Sequence, residues 1–389
     1  MAATLTTLNR RPSTIAARST VALLLATVSL TVCGCTRKPA PPRPYLAFVL
    51  SRQSHSVAAI ELEGFRVVAS IPVAPGGEEI LARPHSAELY VVSSTGHIDV
   101  IAFPALRVVQ TFQVGPSAQR LVFSSDGQHA YVLVPPQGEI AFLDCADGKV
   151  AGRVRLGAPL ANLGLTPDSK TLLAVSAAQD RIFFVDVGER EVQGTLKVGR
   201  APATLAILPD SSKAFVADTG EEKITAVDIP THQILSNIEI GSRPTALLLK
   251  PDGGELFVLA PQVSLLTIVD AFHDNVSQTL PTGRNPLSGV FRRDSSVLYI
   301  ANAGDGSVTT LDVQNRQVLA STQVGGSPRA LALTPDERFL VVTDTGTSSL
   351  AVLVAEPDRL AKLKSALVTT VPVGAEPVDV VVPGWLWED

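Results

Sequence analysis

The chain has 389 residues, of which 46% are hydrophobic and 18% are charged, and its formal net charge is −5 at pH 7. Such a composition can fill a large folded core. The acidic balance argues against a protein that relies on bulk positive charge to bind nucleic acid.

Residues 1–34 have the pattern of an export signal, and we do not expect them in the fold. The mainly apolar stretch 21–32 is too short to span a bilayer comfortably. A basic segment precedes it and carries Arg10, Arg11 and Arg18. The stretch ends in Val-Cys-Gly-Cys, which resembles a bacterial lipobox with Cys35 as the lipidated residue. The alternative is an ordinary cleaved signal peptide with incidental cysteines.

Residues 35–44 are expected to link this anchor to a folded domain at 45–389. Four of these ten residues are proline, which gives a stiff, extended spacer of roughly 3 Å per residue. We therefore predict an exported protein, lipid-anchored to the bacterial cell envelope and periplasmic or surface-facing. Thr36 stands where aspartate would direct some lipoproteins to the inner membrane, so the outer membrane is favoured.

A unit of 42 residues recurs through the rest of the chain. Glycines keep this step at Gly115, Gly157, Gly199, Gly241, Gly283 and Gly325. Two sets of aspartates keep it too: Asp126, Asp168, Asp210, Asp252, Asp294 and Asp336, and Asp144, Asp186, Asp228, Asp270 and Asp312. A repeat of this length suits a four-stranded propeller blade. Because the aspartates fall in turns of different blades, we expect them to cap turns rather than to form a metal or acid–base array.

One unit, residues 199–240, holds four short apolar runs at 204–208, 214–217, 224–228 and 233–240. Each run has the length and the branched residues of a β-strand. The glycine that closes each unit permits a backbone angle that other residues avoid. A repeated position in the second strand is expected to pack between blades: Tyr131, Leu173, Phe215, Phe257, Tyr299 and Val341.

Seven units start between residues 74 and 325, and an incomplete unit lies at each end. Residues 45–73 supply the second, third and fourth strands of a blade, and residues 374–389 supply a first strand. We infer that the two ends share one blade, which leaves no exposed sheet edge. The predicted fold is all-β: a propeller of eight four-stranded antiparallel blades, with seven blades as the alternative.

These segments resemble the YVTN/YncE-like β-propeller family of bacterial and archaeal envelopes. The resemblance rests on 298–313 (LYIANAGDGSVTTLDV), on 213–229 (KAFVADTGEEKITAVDI) and on the flanking turns VGRAP and VGGSP. It covers residues 45–389 and implies the propeller fold, although that family tends to have seven blades. It also implies single-stranded DNA binding as one possibility, and similar propellers occur among lactonases and haem- or quinone-linked dehydrogenase subunits.

The face formed by the fourth-to-first and second-to-third loops is the expected binding surface. Three arginines follow the repeat glycine in consecutive blades, and two more extend the arc: Arg200, Arg243, Arg284, Arg329 and Arg120. Guanidinium groups suit carboxylate or phosphate ligands, so these arginines are candidates for an anion-binding arc, although solvated loop arginines with local partners are the favoured interpretation.

A second candidate site lies at the mouth of the central channel. Glu79 and Asp379 occupy equivalent early positions in the first strands of adjacent blades, and Arg120 and Asn162 follow in the next two. This set would be the site of a lactonase, which we expect to need a metal held by carboxylate and polar ligands.

No other pattern indicates chemistry. The six histidines form no metal-binding or haem-attachment motif, although His55 and His97 could approach each other on the expected binding surface. Cys145 is expected to be structural, and no intramolecular disulfide is predicted. A longer step before the last glycine inserts residues 356–367, which predict a short helix that either folds onto its own blade or docks a partner.

The sequence therefore favours a membrane-tethered, monomeric binding or scaffold protein that is not an enzyme and needs no cofactor or metal. Its partner would be another envelope protein, an anionic polymer or a small molecule. The alternatives are a propeller enzyme, such as a lactonase or a dehydrogenase subunit, and a protein that binds single-stranded DNA.

Overall fold

The computed structural model describes residues 45–355 and 366–384, and these residues form thirty-two β-strands. The strands make eight four-stranded antiparallel sheets, one for each blade. The described residues hold no α-helix, and a single 3₁₀ turn lies at Pro135–Gln137. None of their segments is a helix long and apolar enough to cross a membrane. The predicted all-β propeller with eight blades is therefore confirmed, and the predicted signal and linker lie outside the described residues.

The first four blades run as follows. Blade 1 contains β1 (Leu46–Ser51), β2 (Ser56–Glu61), β3 (Arg66–Pro72) and β32 (Pro377–Val381). Blade 2 contains β4 (Gly77–Ala82), β5 (Glu88–Ser93), β6 (His97–Ala102) and β7 (Arg107–Gln113). Blade 3 contains β8 (Arg120–Phe123), β9 (His129–Val134), β10 (Glu139–Asp144) and β11 (Val150–Arg155). Blade 4 contains β12 (Asn162–Leu165), β13 (Thr171–Ser176), β14 (Arg181–Asp186) and β15 (Glu191–Lys197).

The other four blades repeat the same plan. Blade 5 contains β16 (Pro202–Ile207), β17 (Lys213–Asp218), β18 (Lys223–Asp228) and β19 (Gln233–Glu239). Blade 6 contains β20 (Ala246–Leu249), β21 (Glu255–Ala260), β22 (Leu265–Asp270) and β23 (Asn275–Pro281). Blade 7 contains β24 (Pro286–Phe291), β25 (Val297–Asn302), β26 (Ser307–Asp312) and β27 (Gln317–Gln323). Blade 8 contains β28 (Pro328–Leu333), β29 (Phe339–Asp344), β30 (Ser349–Val354) and β31 (Leu367–Pro372).

The two ends of the described chain meet in blade 1. Its strand order is β3-β2-β1-β32, so the last strand pairs with the first, and Val49 lies opposite Val380. First strands of neighbouring blades contact each other, for example β28 with β32 and β32 with β4, and they line the central channel. The predicted closure of the ring is thus confirmed.

The core lies between blades rather than in one central cluster. Tyr131 from the second strand of blade 3 packs with Leu163 and Leu172 of blade 4, and its ring meets the edge of Phe142 at 5.1 Å between centroids. All four residues are buried. The predicted interblade role of the repeated position in the second strand is confirmed.

The repeated aspartates cap turns as predicted. Asp168 accepts a hydrogen bond from the amide of Lys170 at 3.1 Å, and Asp210 accepts one from the amide of Ser212 at 3.0 Å. The aspartates that end the third strands do the same, since Asp144 accepts the amide of Ala146 at 2.8 Å. These bonds favour the charged carboxylate, and the pKa values of Asp168 and Asp210 are lowered chiefly by bonds from neighbouring hydroxyls.

The prediction for the repeat glycines is corrected, because these positions need glycine for two different reasons. Gly157 and Gly241 have φ of 71° and 68°, as the prediction of an unusual backbone angle requires. Gly325 does not have a positive φ. Instead, a Cβ at Gly325 would overlap the buried side chain of Asp344 in the second strand of the same blade. At that position glycine is required because a side chain would not fit.

The insertion in blade 8 is shorter than predicted. Leu367, which we expected on a helix, is the first residue of β31. It pairs with Leu353 of β30 as the blade resumes its ordinary register. The remainder of the predicted helix, residues 356–365, and its suggested docking role lie outside the described residues.

Candidate functional site

The loops predicted to share one face do so. The fourth-to-first loop and the second-to-third loop of a blade are joined by backbone hydrogen bonds, such as that from the amide of Ser94 to the carbonyl of Gly76 at 2.7 Å. The amide of Gly220 bonds the carbonyl of Arg200 at 3.0 Å in the same way. We call this surface the loop face, and the opposite surface, formed by the other two sets of turns, the hairpin face.

A cavity of about 590 Å³ opens at the channel on the loop face, and we call it the mouth cavity. The early residues of the inner strands β4, β8, β12, β24, β28 and β32 line it. Its polar side chains are Glu78, Glu79, Gln119, Arg120, Asn162, Ser288, Arg329 and Asp379. Six inner strands thus direct polar groups into one space, including all four residues of the channel-mouth set.

Asp379 of β32 is held by two backbone amides. Its Oδ2 accepts the amide of Ile80 at 2.9 Å, and its Oδ1 accepts the amide of Val380 at 2.9 Å. The pKa of Asp379 is raised to about 7, chiefly by removal from water and also by the negative charge of Glu79, while the two amides and Arg120 oppose this rise. A carboxyl that titrates near neutral pH can both accept and donate a proton.

Glu79 and Arg120 form an ion pair beside this carboxyl. Glu79 Oε1 accepts Arg120 Nη1 at 2.9 Å, and Glu79 Oε2 accepts the amide of Leu121 at 3.1 Å. The Glu79 side chain is 17% exposed and that of Arg120 is 45% exposed. Burial raises the pKa of Glu79, whereas the charge of Arg120 opposes that rise. Arg120 therefore keeps part of its guanidinium open to the cavity while it is fixed by Glu79.

The rest of the wall is polar but less constrained. Asn162 Oδ1 accepts the amide of Leu163 at 2.8 Å, and its Nδ2 lies 3.4 Å from Thr204 Oγ1. Ser288 donates its hydroxyl to the backbone carbonyl of Arg329. The exposed guanidinium of Arg329 makes no ion pair with any residue that the structure describes.

The five arginines of the predicted arc do not share one environment. Arg120 and Arg329 line the mouth cavity, whereas Arg200, Arg243 and Arg284 do not. Arg200 pairs with Glu221 at 3.1 Å and also bonds the carbonyl of Gly220 at 3.2 Å, as the alternative of local partners describes. Arg243 and Arg284 are exposed, with no ion pair to the described part of the chain.

The histidines and Cys145 contribute no site of their own. His97 bonds Thr95 of its own loop at 3.0 Å, and within residues 45–355 and 366–384 no three His, Cys, Asp or Glu side chains are placed to hold a metal ion. Among the described residues, the mouth cavity offers a metal the carboxylates of Glu78, Glu79 and Asp379, of which Glu78 is paired with Arg52 and Glu79 with Arg120. Cys145 is buried, and burial raises the pKa of its thiol to about 11, which leaves it unreactive at neutral pH.

Sequence reasoning missed Glu78 and Ser288 at the mouth. Ser288 lies 126 residues after Asn162, three full repeats, so a register alignment of the units would have found it. Glu78 is held by Arg52, whose Nη2 lies 2.8 Å from Glu78 Oε2 and whose Nη1 lies 3.3 Å from Glu376 Oε1. This contact joins strand β4 of blade 2 to two loops of blade 1 and could not be predicted from spacing alone.

Comparison with known protein families gives one match. The family described as "Lactonase, 7-bladed beta-propeller" matches residues 162–382, more than half of the chain. The chain belongs to this lactonase family. Its match begins at the first residue of β12, and the chain has one blade more than the family's description states. The comparison with curated proteins found no match.

Several solved structures share the fold at low identity. Dihydro-heme d1 dehydrogenase NirN, in complex with DHE, is 13% identical with a TM-score of 0.76, over 90% of this chain and 79% of that chain. Hydrazine synthase from Kuenenia stuttgartiensis is 20% identical with a TM-score of 0.55, over 67% and 87%. A functionally unknown protein from Desulfotomaculum acetoxidans DSM 771 is 13% identical with a TM-score of 0.56, over 87% and 98%.

These comparisons correct one prediction. The expectation that the chain is not an enzyme is wrong, because the chain belongs to a lactonase family, which is an enzyme-related family of propellers. The clean repeat misled the sequence reasoning, since a repeated frame can carry a catalytic site in the few positions where the copies differ.

Proposed function

We propose that the protein hydrolyses a lactone in the mouth cavity, with Asp379 as the general base. The observation that carries this proposal is a carboxyl with a pKa of about 7 in a cavity of about 590 Å³. The family match supports the reaction class, because ring opening of a lactone needs a water activated near neutral pH.

The reaction needs one base and one water molecule. The Asp379 carboxylate removes a proton from water as the water oxygen bonds to the lactone carbonyl carbon. The ring C–O bond then breaks, and the departing alkoxide takes the proton from the Asp379 carboxylic acid. The product is an open hydroxy acid, and Asp379 returns to its starting state.

Arg120 is placed to stabilise the charge that develops on the carbonyl oxygen. Its guanidinium is partly open to the cavity, and Glu79 fixes it through the 2.9 Å bond. Fixed donors of this kind stabilise an oxyanion without reorganising during the reaction. Arg329 and Asn162 offer further donors for the polar substituents of the ring.

The rate should depend on pH through Asp379. The base form of Asp379 predominates above its pKa of about 7, so we expect the rate of ring opening to rise between about pH 6 and pH 8 and then to level off. The spontaneous hydrolysis of the lactone is subtracted at each pH.

The experiment is ring opening of γ-butyrolactone and δ-valerolactone followed in a pH-stat. Asp379→Asn should lower the enzymatic rate by roughly 100-fold or more, the usual contribution of a general base. Asp305→Asn is the matched control, because Asp305 lies on the loop face but bonds Ser307 and the amide of Arg284 outside the cavity. Equal loss in both variants, or no loss in Asp379→Asn, would contradict the assigned role.

We also propose that the chain is YVTN-like and is tethered to the envelope through lipidated Cys35. The lipobox-like sequence and the proline-rich linker support this proposal. When cells are grown with an alkyne analogue of palmitate, the protein should carry the label and should be found in the membrane fraction. The Cys35→Ser variant should lose the label and should no longer be found in the membrane fraction. Label retained in Cys35→Ser would refute the anchor.

A further inference from the structure

A second cavity lies between blades 3 and 4, away from the residues of the mouth cavity. It has a volume of about 260 Å³, and we call it the interblade cavity. Its walls include Tyr131 and Phe142 of blade 3 and Val187 and Arg190 of blade 4, with His129 also lining it. It does not share a lining residue with the mouth cavity, so the proposed hydrolysis does not account for it.

Comparison with other blades explains why this space is open. At the end of the first strand, blades 2 and 7 carry Arg83 and Arg292. Each guanidinium reaches the next blade, where Arg83 Nη1 lies 3.5 Å from the carbonyl of Cys145 and Arg292 Nη1 lies 2.9 Å from that of Ala355.

In blade 3 the equivalent residue is Ser124. Its hydroxyl bonds Asp126 at 2.6 Å within the same turn and is too short to reach blade 4. Val187 holds the position that Cys145 and Ala355 hold in the other two blade pairs. The interblade cavity is therefore where an arginine head group would lie if Ser124 were arginine.

The tyrosine beside this space has lost its protein partner. Tyr90 donates its hydroxyl to the carbonyl of Cys145 at 3.4 Å, and Tyr299 donates to that of Ala355 at 2.6 Å. Tyr131 is their equivalent and is only 2% exposed, yet its hydroxyl makes no hydrogen bond to any residue the structure describes. The Tyr131 hydroxyl borders the interblade cavity and is available to donate a hydrogen bond to a molecule bound there.

The other polar groups at the interblade cavity also donate. Arg190 lies in the left-handed conformation, with φ of 58°, and its guanidinium carbon is 5.7 Å from the centre of the Phe142 ring. Arg190 Nη1 donates to the carbonyl of Ala151 at 2.6 Å, which leaves several of its N–H groups without a partner in the described chain. The adjoining walls, Phe142 and Leu143, are apolar and buried.

We propose that the interblade cavity binds a small monocarboxylate with a flat apolar body, of the benzoate class. The carboxylate would accept hydrogen bonds from the Tyr131 hydroxyl and the Arg190 guanidinium, and the ring would lie against Phe142. A guanidinium matches a carboxylate in charge and in geometry. This site is independent of lactone hydrolysis.

The test is a ¹⁹F NMR titration of the purified propeller with 4-fluorobenzoate. A ligand of this size should bind with a Kd of about 1 mM. Tyr131→Phe should weaken binding about tenfold, because one hydrogen bond to a charged group is lost. Tyr299→Phe is the matched control, since its hydroxyl is satisfied by Ala355, and it should leave the titration unchanged.

One further variant and one further probe test whether binding needs the open space and the negative charge of the ligand. Ser124→Arg copies the arginine of blades 2 and 7 and should abolish binding by filling the space. The neutral probe 4-fluorobenzamide should bind at least tenfold more weakly than 4-fluorobenzoate. The proposal is overturned if the wild-type protein does not bind 4-fluorobenzoate, if Tyr131→Phe binds as tightly as the wild type, or if the amide binds as well as the acid.

Discussion

Asp218 is a buried carboxyl that should destabilise the fold above neutral pH. It ends the second strand of blade 5 with an exposure of 0%. Its Oδ2 accepts the hydroxyl of Thr225 at 2.7 Å, whereas its Oδ1 is buried without a hydrogen-bond partner among the described residues. Burial raises the pKa of Asp218 to about 6, against which Thr225 and Lys223 act more weakly.

The raised pKa of Asp218 determines how stability depends on pH. The folded-state pKa of Asp218 lies above its ordinary value of 3.8, so folding is favoured when the group is protonated, and this contribution is lost as the pH rises through about 6. At pH 8 the ionised carboxyl costs about 3 kcal/mol relative to the unfolded chain. Asp218→Asn should therefore stabilise the protein by roughly 2 kcal/mol at pH 8, after allowance for burial of the amide, and by almost nothing at pH 4.

Two equivalent residues supply the template and the control. Asn302 ends the second strand of blade 7 and donates its amide to Thr309 at 2.8 Å, so an amide fits this position. Asp344 ends that of blade 8 and accepts three backbone amides, those of Gly326, Ser327 and Gly346, at 2.8, 2.6 and 3.0 Å. Asp344→Asn should lose stability at both pH values, by about 2 kcal/mol.

Urea unfolding followed by far-ultraviolet circular dichroism at pH 4, 6 and 8 measures these differences. Only a gain for Asp218→Asn that grows with pH agrees with the reasoning. A loss at pH 8 as large as that of Asp344→Asn, or a gain of equal size at every pH, would refute it.

Four other substitutions test the repeat itself by the same unfolding assay. Gly325→Ala should cost at least 3 kcal/mol, because the new Cβ would overlap Asp344. Gly157→Ala should cost only about 1 kcal/mol, because the space around Gly157 is open although its φ is 71°. Similar losses in the two variants would refute the two separate requirements. Tyr299→Phe should lose about 1 kcal/mol with its bond to the next blade, and no loss would count against that bond. Ser295→Gly should gain about 0.5 kcal/mol, because Ser295 has φ of 61° in its turn, and a loss would contradict this.

The 42-residue spacing was sufficient to predict the blades, since glycine and aspartate recur at fixed turn positions in most of the units. The predicted runs at 204–208 and 233–240 correspond to β16 (Pro202–Ile207) and β19 (Gln233–Glu239) within two residues at each end. The two incomplete end units predicted the pairing of β1 with β32. These features are local in sequence or follow from closing a ring, so they needed no knowledge of side-chain contacts.

Contacts between blades could not be predicted in this way. Asp218 and Asp344 occupy the same register, and the loop before each decides whether the carboxylate finds donors: Gly326 and Ser327 supply amides in blade 8. Similarly, the short side chain of Ser124 leaves open the space that Arg83 and Arg292 fill in blades 2 and 7, where each arginine reaches a carbonyl of the next blade. Such effects depend on side-chain reach across a blade interface, which the repeat period does not describe.

The mouth position shows how a uniform frame can carry a distinct site. At this one register of the first strand the eight blades place seven residue types: Glu79, Arg120, Asn162, Thr204, Ala246, Ser288, Ala330 and Asp379. The charged members are neighbours in the closed ring, because β32 lies between β28 and β4. Glu79 and Asp379 therefore come from opposite ends of the chain. Ring closure buries Asp379, which is the main cause of its raised pKa, and brings the charge of Glu79 close enough to add to that rise. Any change that opens blade 1 should therefore abolish the proposed base along with the closure, which links the proposed hydrolysis to the integrity of the ring.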